Sequence, residues 1–430
     1  MTNLSKKLNK EYLLKESKSF CMAPWIHMHI WPNGEAFPCC IVQPEDIKVT
    51  GKNRKGMANS NNSAIKEIWN CETLRQLRLN MIDDKPSQMC NKCYELENTA
   101  DVWTLRKNLN KEFAHHFDRI KNTHEDGTHD DPQFYYWDIR FNNLCNMKCR
   151  SCGPEFSTSW WDDRKIQNPE YKTEKFTSLT NKQGFWDEIK PLINNIESVY
   201  FAGGEPLITD EHYTMLDTWL ESNRQDVVKI SYTTNFSHLG HKGKNVLDYW
   251  KKFKNVDVVA SLDASYERAE WLRKGTNWKK IVQNRIKMMN ECPDTVFGFT
   301  PTVSAFNVWH LPDFHREWCE LGYIEPWDIR INILTHPKQM RMQILPYEFK
   351  QEIKEKWLKH FDWLRSQYNL GPDDGKEMFI MLEGLINFLF KEDRSYDIPH
   401  LLKREAVWDK IRNESMWEIF PELEILKRYA

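Results

Sequence analysis

The sequence predicts an α/β fold: a partial (β/α)6 TIM-like barrel, preceded by a small hairpin-plus-helix domain and followed by a helical C-terminal region. Three observations predict it. Apolar strand-like runs alternate with helix-like runs between about residues 134 and 335. Ahead of them, Asn33-Gly34 separates two short runs, the mark of a tight hairpin turn. Behind them, Phe349, Ile353, Trp357, Phe361 and Leu364 recur at helical spacing.

In chain order, residues 1–20 read as a polar, lysine-rich helix or arm. Residues 25–40 read as a hairpin, because Trp25, His27, His29 and Trp31 alternate with Ile26, Met28 and Ile30. Residues 46–62 are polar and loop-like. A helix is expected at about 63–82, then a loop with Cys90 and Cys93, then a helix at about 96–120. The segment NTHEDGTHDDP, 122–132, has the composition of a linker. Strands are expected at 135–141, 198–203, 227–235, 256–263, 295–304 and 327–334, with helices near 155–167, 183–194, 210–223, 244–253, 277–290 and 312–321. Six such units argue for a parallel sheet covered by helices, short of the eight that close a full barrel. The expected domains are 1–125, 133–340 and 341–430.

Basic and acidic residues nearly balance, 60 against 62, so charge makes no case for nucleic acid as a partner. Aromatics reach 13%, with 19 Trp, which suits a rigid core or a cavity wall. The first twenty residues hold no apolar run of signal-peptide length. The run MFIMLEGLINFLF at 378–390 is too short to span a bilayer and is broken by Glu383, Gly384 and Asn387, so it is expected as a buried helix. No membrane partner and a cytoplasmic location are expected. In a reducing compartment, 11 clustered cysteines point to metal ligands or catalytic groups rather than disulfides.

Cys145, Cys149 and Cys152 form C-x3-C-x2-C after the first strand of the alternating region. Loops at the C-terminal ends of barrel strands are where such folds place their chemistry. Thiolates suit iron–sulfur clusters and zinc alike. Structural zinc wants four ligands, whereas three local cysteines leave one iron of a four-iron cluster open to a small molecule. A zinc knuckle with a distant fourth ligand is the alternative.

The triplet, at this place in a βα array, resembles the radical S-adenosylmethionine superfamily. Gly203-Gly204-Glu205-Pro206 follows the second strand, as in that family, where the segment meets the amino group of S-adenosylmethionine. Glycines permit close backbone approach, and carbonyl or carboxylate oxygens accept from an ammonium. Thr233-Thr234-Asn235 ends the third strand, Ser261-Leu262-Asp263 ends the fourth, and Arg273 follows in RKGTNW. The resemblance implies that Asn235, Ser261 and Arg273 bind the ribose hydroxyls and carboxylate. It also implies a [4Fe–4S] cluster on Cys145, Cys149 and Cys152, and reductive cleavage of S-adenosylmethionine to a 5′-deoxyadenosyl radical. An external electron donor such as flavodoxin or ferredoxin would supply the electron, and the substrate is not identified. Ser151 stands where the family often has an aromatic residue, and the fifth strand lacks the family's glycine-rich motif, so no adenine contacts are assigned.

Cys21 and Cys39 enclose C-x12-G-x4-C, and Cys90 and Cys93 form C-x2-C. Together they resemble the twitch domain, the shortened relative of SPASM, which implies a fully ligated auxiliary [4Fe–4S] cluster that accepts an electron from a substrate radical. Here this set precedes the barrel, whereas in the relatives it normally follows. Cys40 and Cys71 are candidate replacements, and Cys292 and Cys319 read as buried free thiols. His27 and His29 are explained by a hairpin strand. The rival reading of the chain is a zinc-stabilised binding or scaffold module without S-adenosylmethionine chemistry.

Overall fold

In the computed structural model the described residues are 9–42, 47, 58–99, 104–181, 183–371 and 374–429. The first eight residues of the expected N-terminal arm and most of the loop at 46–62 thus lie outside them. The chain divides into two units: residues 1–143, 176–231 and 253–255, and residues 144–175, 232–252 and 256–430.

The first unit is built on the parallel strands Tyr136–Ile139 and Ser198–Phe201, with Trp137 opposite Val199 and Ile139 opposite Phe201. His29–Ile30 adds in parallel, Ile30 opposite Ile139, and pairs antiparallel with Ala36–Phe37. The hairpin is therefore present but short. Gly34 closes it at φ +85, where a Cβ would collide with the side chains of Asn59 and Asn61. Residues 25 and 26 are not in the expected strand: Pro24 opens a helical turn, Ala23–Ile26.

Strand alternation gives this sheet two different faces. Trp137, Ile139, Val199 and Phe201 are buried on one face, and Phe201 meets Trp219 of the helix Asp210–Glu221. Trp219 donates from Nε1 to Ile193 O, 3.1 Å, tying that helix to Phe185–Ile193. The other face carries Tyr136 and Asp138, with His29 beside Asp138.

The helix expected at 63–82 is two helices, Ile65–Trp69 and Glu72–Ile82. At the break, Asn70 exchanges hydrogen bonds with the His129 backbone through both side-chain atoms. Arg78 is fully buried and donates to Trp69 O, Pro24 O and Gly127 O, so one guanidinium satisfies carbonyls that the break and two loops leave over. The helix expected at 96–120 resolves into Asn91–Thr99, Leu105–Glu112 and a 3-10 segment, Ala114–Asn122.

In the second unit, Asn255–Ala260 and Val296–Phe299 run parallel, Ala260 opposite Phe299. The helices Trp278–Glu291 and Leu311–Glu320 bring Trp278, Phe314 and Trp318 into an aromatic cluster with Phe299. The C-terminal region is helical as expected, with Tyr347–Gln367, Lys376–Phe390 and Ile398–Arg412. The apolar run at 378–390 buries Leu382, Leu385 and Leu389, and no described helix is long and apolar enough to cross a membrane.

Arg150 is completely buried. It pairs at 2.6 Å with Glu405, Asp409 and Glu414, and its guanidinium lies 3.5 Å from the centre of the Trp271 ring. Removing this cation leaves Glu405, Asp409 and Glu414 crowded in a largely buried site, with only Arg404, Lys274 and the Met416 N–H to offset them. Arg150→Met is therefore expected to cost about 3–5 kcal/mol of unfolding free energy. Urea denaturation measures it, and a loss below about 1 kcal/mol, the level of an exposed pair, contradicts the assignment.

Candidate functional site

The cysteine triplet sits on a loop pinned from several sides. Lys148–Cys149 forms a two-residue strand antiparallel to Arg273–Lys274, with Cys149 opposite Arg273. Arg150 N–H extends the pairing to Leu272 O at 2.8 Å. Gly275 turns the partner strand at φ +108, and a Cβ there would stand 2.7 Å from Asn146 O, so only glycine lets the two backbones approach. From the other side, Ser159 Oγ donates to Cys145 O at 2.7 Å and Trp160 Nε1 to Cys149 O at 3.0 Å. A tight turn brings Cys152 N–H to Cys149 O, 3.0 Å.

Two of the residues singled out from the sequence reach these thiols. Asn235 Nδ2 donates to Cys145 Sγ at 3.9 Å and to Asn146 Oδ1 at 2.9 Å. Arg273 Nη1 donates to Cys149 Sγ at 3.8 Å, while its Nη2 donates to Asp263 Oδ1 at 2.9 Å. Asp263 in turn accepts from Thr302 N–H at 2.7 Å. Burial pushes the Cys152 thiol up to about 12, helped by Cys149, and raises Cys149 as well, where Arg273 works in the opposite direction. Burial alone would lower the Arg273 guanidinium, but Asp263 and then Cys149 outweigh it and keep it firmly charged. Ser261 is placed at the end of its strand, its N–H on Thr234 O at 2.7 Å.

Gly203, Gly204, Glu205 and Pro206 belong to the first unit and leave the C-terminal end of Ser198–Phe201. Gly203 has φ +112, and a Cβ there would meet Arg140 Cβ at 3.0 Å. Gly204 N–H is taken by Asn142 O at 3.2 Å. Glu205 is buried and accepts from Leu207 N–H at 3.1 Å, capping the short turn Pro206–Ile208. A small cleft lined by Ile139, Asn142, Ala202, Gly204, Glu205 and Thr209 opens beside the segment. Gly203 is thus required by its positive φ and by the close approach of Arg140.

Cys21, Cys39, Cys90 and Cys93 come together within the first unit: Cys21 feels the other three electrostatically, and Cys90 feels Cys39 and Cys93. Burial pushes Cys39 and Cys90 up to about 12. A cation is the natural way to make such thiols anionic, since buried thiolates are held by metal charge. Cys40 lies against Asp138, and Cys71 stands at the N-terminus of its own helix near Arg78. Cys292 and Cys319 are buried, as expected of structural thiols.

Among the described residues, only His115, His116 and Glu197 have ligand atoms all within 4.8 Å of one another; neither cysteine set is that tight.

Sequence reasoning missed one cluster. His27 and His29 are buried, with Nδ1 3.1 Å from Tyr136 O and 3.4 Å from Asp138 O. Burial drops His27 to about 4, whereas Asp138 is held low, despite its own burial, by His29 and Arg140. His27 Nε2, His29 Nε2 and Asp138 Oδ2 have no hydrogen-bond partner. The only signal was the alternation of His27 and His29, which a hairpin strand explained adequately.

Gly275→Ala tests how the triplet is held. The added methyl presses on Asn146 O and forces the cysteine loop off its partner strand. The expected result is a loss of about four irons per chain from a total of about eight, with the auxiliary set retained. Iron and sulfide analysis of anaerobically prepared protein reads this directly, and an unchanged iron count contradicts it.

Comparison with known proteins agrees with the resemblance drawn from the sequence. SPASM, an iron–sulfur cluster-binding domain, matches residues 21–94, a span that starts at Cys21 and takes in Cys39, Cys90 and Cys93. GTP 3′,8-cyclase of Mannheimia succiniciproducens is 25% identical over 150 residues, 34% of this chain and 38% of the cyclase. Among solved structures, anSMEcpe with bound AdoMet and Cp18Cys peptide aligns at 15% identity and a TM-score of 0.37, over 54% of this chain and 61% of that one. Streptococcus suis SuiB bound to S-adenosylmethionine aligns at 15% identity and a TM-score of 0.35, over 70% and 63%. The chain thus spans about two fifths of the cyclase and about three fifths of these solved chains. The N-terminal cysteines lie in a segment that matches an iron–sulfur domain, and the proteins this chain resembles are radical S-adenosylmethionine enzymes.

Proposed function

We propose that the protein is a radical S-adenosylmethionine enzyme with an auxiliary iron–sulfur cluster, acting on a peptide, a sugar or another small molecule. The observation that carries this is the pinned triplet loop, with Asn235 and Arg273 already turned onto its sulfurs. In this reading residues 133–340 form the partial six-unit barrel, 1–125 the auxiliary domain and 341–430 the helical cap. The proposed setting is the cytoplasm, with a flavodoxin or ferredoxin as electron donor.

Cys145, Cys149 and Cys152 would hold the first cluster and leave one iron for S-adenosylmethionine, and Cys21, Cys39, Cys90 and Cys93 would hold the second. Bound there, the first cluster would supply the electron for reductive cleavage of S-adenosylmethionine, and the second would serve as an electron acceptor. The chain's own residues bind and orient. The turn Gly203-Gly204-Glu205-Pro206 would meet the amino group, and Glu205 holds that turn in place by accepting from Leu207 N–H. Asn235 and Ser261 serve the ribose and carboxylate end. Arg273 does double service: paired with Asp263, it sets positive charge beside Cys149 and offers charge to a carboxylate.

Anaerobically reconstituted protein with dithionite is expected to release 5′-deoxyadenosine from S-adenosylmethionine; no release from protein with intact clusters contradicts the reading. Replacing Cys145, Cys149 and Cys152 with Ala should abolish release. Replacing Cys90 and Cys93 should leave cleavage but cost product formation on the true substrate, and full product formation would remove the auxiliary role.

A further inference from the structure

Outside both cysteine sets, the first unit carries a third group of metal-ligating side chains. His115 and His116 lie on the 3-10 segment Ala114–Asn122, and Glu197 immediately precedes the strand Ser198–Phe201. His115 Nε2 is 2.8 Å from Glu197 Oε2, and His116 Nε2 is 2.7 Å from Glu197 Oε1. Both rings therefore present the same nitrogen to the two oxygens of one carboxylate.

The group is also built to stay in place. Glu197 N–H and Ser198 N–H both donate to Tyr135 O, and Glu197 O accepts from Lys229 N–H, so the glutamate backbone is fixed on both sides. The Tyr135 ring stacks on His116 at 3.5 Å, and Phe113 lies beside both imidazoles at 6.3 and 6.5 Å. His116 and Glu197 side chains are 16% and 31% exposed, while His115 is 56% exposed, so one side of the group is open to solvent.

We propose that His115, His116 and Glu197 form a binding site for one borderline divalent cation, zinc above all, completed by water. Two imidazole nitrogens and a carboxylate oxygen make the donor set that favours zinc, nickel or copper over magnesium, which prefers oxygen and water. Binding takes the Nε2 lone pair of each imidazole, whose proton moves to Nδ1 or is released to water, and needs only small torsions, because metal–ligand bonds of about 2.0–2.2 Å bring the donors to roughly 3.3 Å apart. The ion would staple the 114–122 segment to the start of the strand. Its open side makes it exchangeable, unlike the buried cysteine sites.

The test uses anaerobically prepared protein with its clusters, equilibrated with about 10 µM free zinc, a level well above ordinary protein–zinc dissociation constants. Zinc and iron are counted together. One zinc per chain beyond background is expected for the wild type, and background zinc for His115→Ala and for Glu197→Gln, with iron unchanged in all three. Zinc should also raise the melting temperature of the wild type, not of either variant, and magnesium should raise neither. His115→Ala changes a largely exposed side chain, and Glu197→Gln keeps a hydrogen-bonding partner, so two independent variants report. No zinc uptake by the wild type, or uptake by either variant equal to that of the wild type, overturns the proposal.

Discussion

Three thiols spaced along one loop hold a cluster only if the loop's backbone cannot relax, because unsupported thiolates repel one another and burial disfavours their charge. Here the restraint is the two-residue antiparallel pairing of Lys148–Cys149 with Arg273–Lys274, made possible by the absence of a Cβ at Gly275. The same pairing delivers Arg273 to Cys149. One backbone contact thereby sets both the position of a sulfur and the positive charge beside it. Asp263 holds that guanidinium in place and is itself held by Thr302 N–H and, through its carbonyl, by Asn307.

The residues flanking Cys149 extend this bracing to the C-terminal helices. Lys148 reaches Asp163, which also takes Arg412, and Arg150 meets Glu405, Asp409 and Glu414. Buried charges of this kind are poor sources of net stability but tolerate few alternative arrangements. The helical region after residue 345 therefore has a role beyond covering apolar surface: Ile398–Arg412 braces the chain on both sides of Cys149. The orphaned atoms of His27, His29 and Asp138 are the converse case, polar groups in a buried place with no evident structural return.

Much of the fold was legible in the sequence because the alternating segments differ strongly in apolar pattern. The parallel strands and the helices between them have counterparts, although the last expected strand is only Asn332–Ile333, paired with Thr302–Val303 in a separate small sheet, and the segment with Cys21, Cys39, Cys90 and Cys93 is the one an iron–sulfur family matches. What escaped was set by tertiary contacts. No local pattern marks the break at Asn70, which depends on His129 far along the chain. The single helix expected at 96–120 did not show the change at Phe113 from the helix Leu105–Glu112 to the 3-10 segment Ala114–Asn122. Cys149 facing Arg273 was equally invisible, since the pairing joins residues more than a hundred positions apart. His115, His116 and Glu197 share no motif and meet only through the fold.

The central claim is that one cysteine set leaves an iron open and the other does not. Electron paramagnetic resonance of the dithionite-reduced protein, with and without S-adenosylmethionine, measures this most directly. The account predicts two reduced-cluster signals, of which S-adenosylmethionine alters only one. That response should survive replacement of Cys90 and Cys93 by Ala and vanish on replacement of Cys145, Cys149 and Cys152. Spectra that ignore S-adenosylmethionine, or a response that persists without the triplet, would contradict it.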